Sequence, residues 1–385
     1  MPDTEDEIYR IVNNRRMRCG HTTGTCAAAA SKAAAETLLT HRMVRKVSIS
    51  TPKGIILNLP VEDMTVDDGS VRCAVRKDGG DDIDATDGLL VYATVSKTDR
   101  GIEIDGAEGV GRVTRKGLDQ PVGNAAINHV PRQMITEALT DVMSATGYSG
   151  GLRTVISVPG GIETAKKTFN PRLGIEGGIS ILGTSGIVEP MSETALIDTI
   201  KTEMRVRVAN GAHTLLVVPG NYGKDFTDNI PGIDPEFAVK CSNFIGDMLD
   251  YAVELGVDVL LISNLGKLVK VAGGIMNTHS RNADCRMEIL AANTALAGGS
   301  MESVKRIMDC ISTDDALEVI ESEGLIGKVS ERLIDRIGFY MNHRTGGSIC
   351  TGAVMFSSVY GLLGKTSTAD ELIEKIRTEC ASNDH

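Results

Sequence analysis

Several segments of this 385-residue chain carry residue types and spacings that could do chemistry. Thr22-Thr23-Gly24-Thr25 stands directly before the Ala-rich run Cys26–Leu39. Hydroxyls and a glycine at a helix start make either a cap or an anion cradle. The first-turn N–H groups lack intrahelical partners, and the helix dipole favours negative charge there. Both readings stay open. It is not a P-loop, because the Gly-Lys-Ser/Thr ending is absent. Cys26 would be acidified at an open helix start, but an inert buried thiol is the preferred reading. Lys77-Asp78-Gly79-Gly80-Asp81-Asp82-Ile83-Asp84 runs on to Asp87-Gly88. Its carboxylates suggest a cation, yet counted from Asp82 the glycine falls one position late for an EF-hand and no glutamate closes the loop. A turn of solvated aspartates is the plainer reading, and Asp81 and Asp82 are kept as catalytic candidates.

Further along, Gly106-Ala107-Glu108-Gly109-Val110-Gly111 precedes Arg112, Arg115 and Lys116. Arg132 follows Pro131 at a helix start, and Lys166, Lys167 and Arg172 come next. Basic side chains on Gly-rich loops of an acidic protein suit carboxylates or phosphates, and Arg can bind them bidentately. Any one of them read singly is surface charge. The segment Gly174–Met191 is dense in glycine, including Gly177, Gly178, Gly183 and Gly186 with Thr184 among them. Glycine in a strand interior weakens it and often marks close backbone approach, so a nucleotide-like ligand is expected beside this stretch, with Glu189 accepting from ribose hydroxyls. His279 lies near Asp284 and Cys285, but the spacing matches no helical metal pair, so no protein metal site is expected. No Ser-His-Asp order or G-x-S-x-G elbow occurs.

The elements that must position these residues follow from periodicity. The Ala-rich run reads as a helix. Val44–Ser50 and Ile55–Val61 flank a Thr-Pro-Lys-Gly turn as a hairpin, Val71–Arg76 and Leu89–Ser96 read as strands, and a second helix is expected near Gln133–Ala145. Three continuous apolar runs, Thr154–Val158, Thr214–Val218 and Val257–Ile262, end in loops and suit parallel strands buried on both faces. Cys241, Phe244, Ile245, Met248, Leu249 and Ala252 keep helical spacing until Gly256. The expected fold is therefore α+β: a mixed first domain over 1–150, completed by 296–385, with a Rossmann-like α/β domain inserted over 151–295. Ligands of such a sheet sit at the carboxyl ends of its strands, which brings in Gly220 and Asn221.

Composition limits the classes of function. The net charge is −11 and aromatics make up 3% of residues, with no Trp, which argues against nucleic-acid binding by a basic surface or a stacking platform. Eight scattered cysteines form no C-x-x-C pair and suggest reduced thiols. The acidic N-terminus is no secretory signal, and no apolar run reaches the ~20 residues needed to span a bilayer. A cytoplasmic protein without membrane contact is expected.

The sequence resembles the cobalt-precorrin-5B C1-methyltransferase family (CbiD) of anaerobic cobalamin biosynthesis. The segments that carry the likeness are GHTTGTCAAAASKAA, KDGGDDIDATDG, GVGRVTRKGLDQPVGNAAIN, VPRQMI, KKTFNPRLGIEGGISILGTSGIVEPMS, GNYG, SNFIGDMLDYA and GKLVKVAGGIMNTHSRNADCRME, spanning about three-quarters of the chain in one order. Three positions depart from the family pattern, which has His at Asp87, Pro at His129 and Gly-His at Ser263-Asn264. The resemblance implies methyl transfer from S-adenosylmethionine to C-1 of cobalt-precorrin-5B, giving cobalt-precorrin-6A, with cobalt only as part of the substrate. On that reading the candidate residues fall into three sets, and which loop holds which ligand stays open. Thr22, Thr23, Thr25, Lys77, Arg112, Arg132, Lys167, Asn170 and Arg172 would meet the anionic tetrapyrrole. Gly177, Gly178, Gly183, Thr184, Gly186, Glu189, Gly220 and Asn221 would meet the donor. Asp81, Asp82 and His279 are the catalytic candidates. Two other classes remain, a non-catalytic corrinoid carrier and a nucleotide-dependent phosphotransferase, and oligomeric state is left open, a homo-oligomer included.

Overall fold

In the computed structural model, which describes residues 8–220, 226, 230 and 233–383, the Ala-rich run forms the helix Thr23–Thr40. The acidic N-terminal heptapeptide and Asn221 lie outside the described residues. Ala27, Ala28, Ala29, Ala30, Ala33, Ala34 and Ala35 are fully buried, so the helix is covered on more than one side. Small side chains permit that: the helix packs on the strands Ser70–Arg76 and Leu90–Thr98, on the helix His129–Thr146 and on the hairpin strand Lys46–Ser50. Ser31 and Thr154 share a buried hydrogen bond of 3.0 Å between the helix and the sheet.

The chain divides into two compact units, 1–193 and 194–385. In the first, five strands pair in the order Glu62–Asp67, Ser70–Arg76, Leu90–Thr98, Gly151–Ser157, Ile102–Gly106. Gly151–Ser157 is antiparallel to Leu90–Thr98 and parallel to Ile102–Gly106. The expected boundary at 150 is therefore corrected. The run Thr154–Val158 is a central strand of the first unit and does not open an inserted domain. A continuous apolar run reports burial on both faces, and burial says nothing of strand direction. The expected hairpin forms, with Lys46–Ser50 antiparallel to Ile56–Pro60.

In the second unit the sheet order is Val239–Lys240, Thr214–Val218, Asp258–Asn264, Thr351–Ser357, Gly361–Lys365. The first four run parallel and the last is antiparallel to its neighbour. Alternate residues face two cores. Leu215, Val217, Val259 and Leu261 meet the helices Ile245–Leu255, Leu265–Ala272 and Ile326–Thr345. Leu216, Val218, Leu260 and Ile262 meet Leu372, Ile373 and Ile376 of the helix Ala369–Asn383. Both faces are thus covered, as parallel strands require. The region 296–385, expected to complete the first domain, belongs here, because Thr351–Ser357 supplies the fourth strand of this sheet. Gly352 and polar ends dilute its apolar run, which is why sequence periodicity leaves its partner open.

Candidate functional site

The first unit gathers the glycine-rich and charged loops around the start of the helix Thr23–Thr40. Thr22 caps it, its hydroxyl accepting from Thr25 N at 3.2 Å. Gly24 N donates to the Leu182 carbonyl at 2.8 Å, and Thr25 Oγ1 donates to the Gly186 carbonyl at 2.8 Å. Leu182 N donates to Thr23 Oγ1 at 2.9 Å. The segment 180–186 therefore lies over the helix start and takes its donors. Thr23 and Thr25 are buried, and the geometry gives this motif the cap role over the open anion cradle. Burial pushes the Cys26 thiol up to about 12, the opposite of an exposed helix-start cysteine.

The space beside the glycines of 177–186 is largely filled by the chain itself. A Cβ on Gly183, where φ is +142°, would lie 2.2 Å from Thr22 Oγ1. On Gly178 it would lie 2.2 Å from the Gly109 carbonyl oxygen, and on Gly186 2.7 Å from Thr51 Cβ. These three close approaches are intramolecular, which corrects the expectation that the glycines leave room for a ligand. Gly177 has no atom within 4 Å of such a Cβ, and Thr184 is exposed. Glu189 pairs with Arg10 and Lys53, so both its oxygens already hold cations. Asn170 is buried, donating to the Gly178 carbonyl at 3.1 Å and accepting from Ser180 Oγ at 3.2 Å, which makes it a brace for this segment.

The acidic loop is held in the same way. Lys77 is buried and donates to Asp84 Oδ2 at 2.7 Å. Arg18 grips Asp78 with both nitrogens, at 2.5 and 2.8 Å, and this pairing holds the Asp78 carboxyl down to about 2. Asp81 accepts from Arg18 N at 2.6 Å, Asp82 from Met191 N at 3.0 Å, and Asp87 from Gly79 N at 2.7 Å. The aspartates thus fix the loop's own backbone and its neighbours. Among the described residues no group of three or more His, Cys, Asp or Glu could hold a metal.

Arg112 and Arg132 line one cleft of about 310 Å³ with Arg153, Asn124, Glu103 and Asp105. Arg112 pairs with Asp105 at 2.9 Å and donates to the Gly106 carbonyl at 2.7 Å. Arg132 donates through Nε to the Ile127 carbonyl at 2.8 Å and through Nη1 to the Ile104 carbonyl at 3.0 Å. Burial lowers its pKa from the usual arginine range. Among the described residues its Nη2 has no acceptor, and this nitrogen is what the cleft offers to an anion. Arg153, across from Glu103 at 4.0 Å, was not singled out in the sequence because it sits alone in a strand. Lys167 is exposed and lies outside this lining, and so does the half-buried Arg172 of the short helix Asn170–Leu173.

The second unit has its own loops at the carboxyl ends of its strands. Gly220 follows Thr214–Val218, and among the described residues no atom lies within 4 Å of a Cβ placed there. After Val239–Lys240, Cys241 N donates to the Val218 carbonyl at 2.9 Å, and Ser242 takes φ +53°. Lys267, in the helix Leu265–Ala272, donates to Asn243 Oδ1 at 2.5 Å. Thr278 Oγ1 donates to the same oxygen at 3.3 Å. Lys270, buried one turn on, donates to the carbonyls of Thr278 and Ala283 at 3.2 and 2.9 Å. His279 is exposed, its Nδ1 accepting from Arg281 N at 3.1 Å, and Asp284 is held by Arg286 at 2.6 Å. Of the set His279, Asp284 and Cys285, the first two therefore have other partners. The donor candidates thus divide between the units, Gly177–Glu189 in the first and Gly220 in the second.

The comparisons with known proteins can now be placed on this geometry. The CbiD family profile matches residues 10–190, and the profile of its C-terminal domain matches 277–367. A protein of Ruminiclostridium cellulolyticum named cobalt-precorrin-5B C(1)-methyltransferase is 50% identical over 92% of this chain and 92% of its own length. One of the same name from Alkaliphilus metalliredigens is 47% identical, covering 97% of this chain and 98% of its own. The chain belongs to the CbiD family. A crystal structure titled as a cobalamin biosynthesis protein (cbiD) from Archaeoglobus fulgidus is 28% identical, with 72% of this chain and 87% of that chain covered at a TM-score of 0.39. The family profile covers the helix cap, the acidic loop, the arginine cleft and the glycine segment, and its C-terminal profile begins at the rim beside Lys270. At the positions expected to depart from the family pattern, Asp87 accepts from Gly79 N, His129 Nδ1 donates to Asp119 Oδ1 at 2.8 Å, and Asn264 precedes the helix Leu265–Ala272 without a side-chain cap bond.

Proposed function

We propose that this chain transfers a methyl group from S-adenosylmethionine to C-1 of cobalt-precorrin-5B. The observation that carries the reading is its likeness to proteins of that name, 50% and 47% identical over more than nine-tenths of both lengths. In the reaction the sulfonium–methyl bond breaks as a carbon–carbon bond forms, and a thioether leaves. A sulfonium methyl is already activated, so the chain has to align the two partners and exclude water. That demand fits a protein whose acidic loop is tied into its own backbone and whose buried cysteines are unreactive: burial also pushes Cys73 and Cys241 up to about 12.

The donor takes the carboxyl edge of the Rossmann-like sheet in the second unit, at Gly220 and Asn243. Ligands of open parallel sheets sit at that edge. Gly220 and Asn243 both follow strands of that parallel sheet, Thr214–Val218 and Val239–Lys240, which supports this placement. The tetrapyrrole carries acetate and propionate arms, and the cleft of Arg112 and Arg132 takes one of them through the free Nη2 edge. Lys167 is exposed and has no ion-pair partner among the described residues, so it serves a second arm. The cobalt belongs to the substrate.

Turnover tests this. Purified protein, S-adenosylmethionine and cobalt-precorrin-5B kept under anaerobic conditions should yield S-adenosylhomocysteine in step with tetrapyrrole consumption. A corrinoid carrier would bind the tetrapyrrole and release no S-adenosylhomocysteine, and a phosphotransferase would need ATP.

A further inference from the structure

The helix Leu265–Ala272 presents Leu265, Leu268, Val269 and Ala272 to the core, all buried. Two lysines stand on the same short helix, three residues apart. Lys270 is fully provided for: two backbone carbonyls accept from it, and Asp284 lies 3.4 Å away. Lys267 is not. Its ammonium reaches the Asn243 amide oxygen at 2.5 Å and, weakly, the Ser242 carbonyl at 3.4 Å. No carboxylate among the described residues pairs with it. A partly buried ammonium held only by neutral oxygens is costly, because its desolvation is unmatched by an opposite charge. Burial lowers its pKa from the usual lysine range, and the nearby Lys270 charge adds to that.

The surroundings favour an anion. Lys267 Nζ lies where the parallel strand Val239–Lys240 runs out into Ser242 and Asn243. The helix that bears it starts at Asn264, at the carboxyl end of its own strand, and Asn264 makes no side-chain cap bond. The first-turn N–H groups of that helix therefore have no side-chain acceptor from their cap residue. Asn243 is itself fixed, its carbonyl accepting from Thr278 N at 2.9 Å and its amide oxygen from Thr278 Oγ1, so Lys267 is held in place.

From this juxtaposition we propose that Lys267 Nζ, oriented by Asn243, binds a carboxylate at the carboxyl edge of the second unit's sheet. The inference rests on the methyl-transfer reading for the identity of that carboxylate. Two sources have the same chemistry, the amino-acid end of the methyl donor and a side arm of the tetrapyrrole. The placement of the donor at this edge favours the first.

The test is a binding cycle by calorimetry on the full chain. The variants are Lys267→Met and Lys267→Arg. The ligands are S-adenosylhomocysteine and its decarboxylated analogue, S-adenosyl-3-thiopropylamine. Loss of one charge-assisted hydrogen bond weakens binding by about 10- to 100-fold. Lys267→Met should show that loss for S-adenosylhomocysteine and none for the analogue, and Lys267→Arg should recover part of it. Wild-type protein should itself bind the analogue about 10-fold or more weakly, which needs no variant to fold. If Lys267→Met binds both nucleosides as wild type does but raises the tetrapyrrole KM, the carboxylate comes from the tetrapyrrole. Equal weakening of both nucleosides, or no change in nucleosides and tetrapyrrole alike, overturns the site. Wild-type protein that binds no S-adenosylhomocysteine even with tetrapyrrole present contradicts the methyl-transfer reading, an outcome distinct from an unchanged variant.

Discussion

Single residues here divide into those that spend their charge on the fold and those that keep some in reserve. Asp78 belongs to the first kind. A carboxyl whose folded pKa is depressed contributes stability above its unfolded value and loses it as pH falls through the folded value. For Asp78, held down to about 2 by Arg18, the window runs from about 4 to about 2. Asp78 is more than a third exposed, so the pair contributes only roughly 0.5–1 kcal/mol. Arg18→Met should be less stable by that amount in urea melts at neutral pH, and the gap should narrow once pH drops below about 4. A gap that stays constant to pH 2 would mean that Arg18 acts through packing alone. Arg132 belongs to the second kind. Two of its nitrogens brace Ile127 and Ile104, and Nη2 remains for a ligand. Arg112→Ala should raise the tetrapyrrole KM by about 10-fold or more and leave donor affinity unchanged. Arg132→Ala should do the same and also lower the melting temperature, because two backbone carbonyls lose their donor. Unchanged KM in both variants would remove the cleft from the tetrapyrrole site.

At the scale of elements, most of the chain's segments are legible in its sequence, and their pairing is much less so. The Ala-rich helix, the hairpin around Pro52 and the helix ending at Gly256 form where periodicity and turn chemistry place them. The glycines are where the reading of the residues falls short. Gly183 and Gly178 do mark close approach, but the approaching groups are Thr22 and Gly109 of the same unit. A sequence shows that a backbone must come near something and does not show what. Gly109 makes this testable. Its φ is +74°, and a Cβ there would lie 1.8 Å from the Val158 carbonyl oxygen. Gly109–Val110 cannot simply move away, since it also pairs with Gly178–Ile179. Gly109→Ala should therefore cost on the order of 2–4 kcal/mol of stability, read by urea unfolding. A cost below about 1 kcal/mol would show that this crossing is loose. Lys267 is the opposite case, a residue the motif reading passed over. Its only sequence signal is a lysine three residues before another on a helix whose remaining positions are mostly apolar.

For the whole molecule, the division at 193 and 194 differs from the expected insertion because strand direction and strand partner are long-range properties. The run Thr154–Val158 and the run Thr214–Val218 look alike as sequence, yet one closes a mixed sheet and the other sits inside a parallel one. The division also separates the two ligand chemistries as proposed, with the arginine cleft in the first unit and the carboxyl edge of the parallel sheet in the second. Neither unit's described residues supply a metal cluster, and no helix among them is long and apolar enough to cross a membrane. What joins these parts into one account is the transfer of a methyl group to a defined carbon. The most direct measurement uses S-adenosylmethionine labelled with carbon-13 in the methyl group, incubated with the protein and cobalt-precorrin-5B, followed by carbon NMR of the isolated tetrapyrrole. The account predicts one new labelled methyl, bonded to C-1, in every product molecule. A label that stays on the donor, or that appears on another ring carbon, would contradict it.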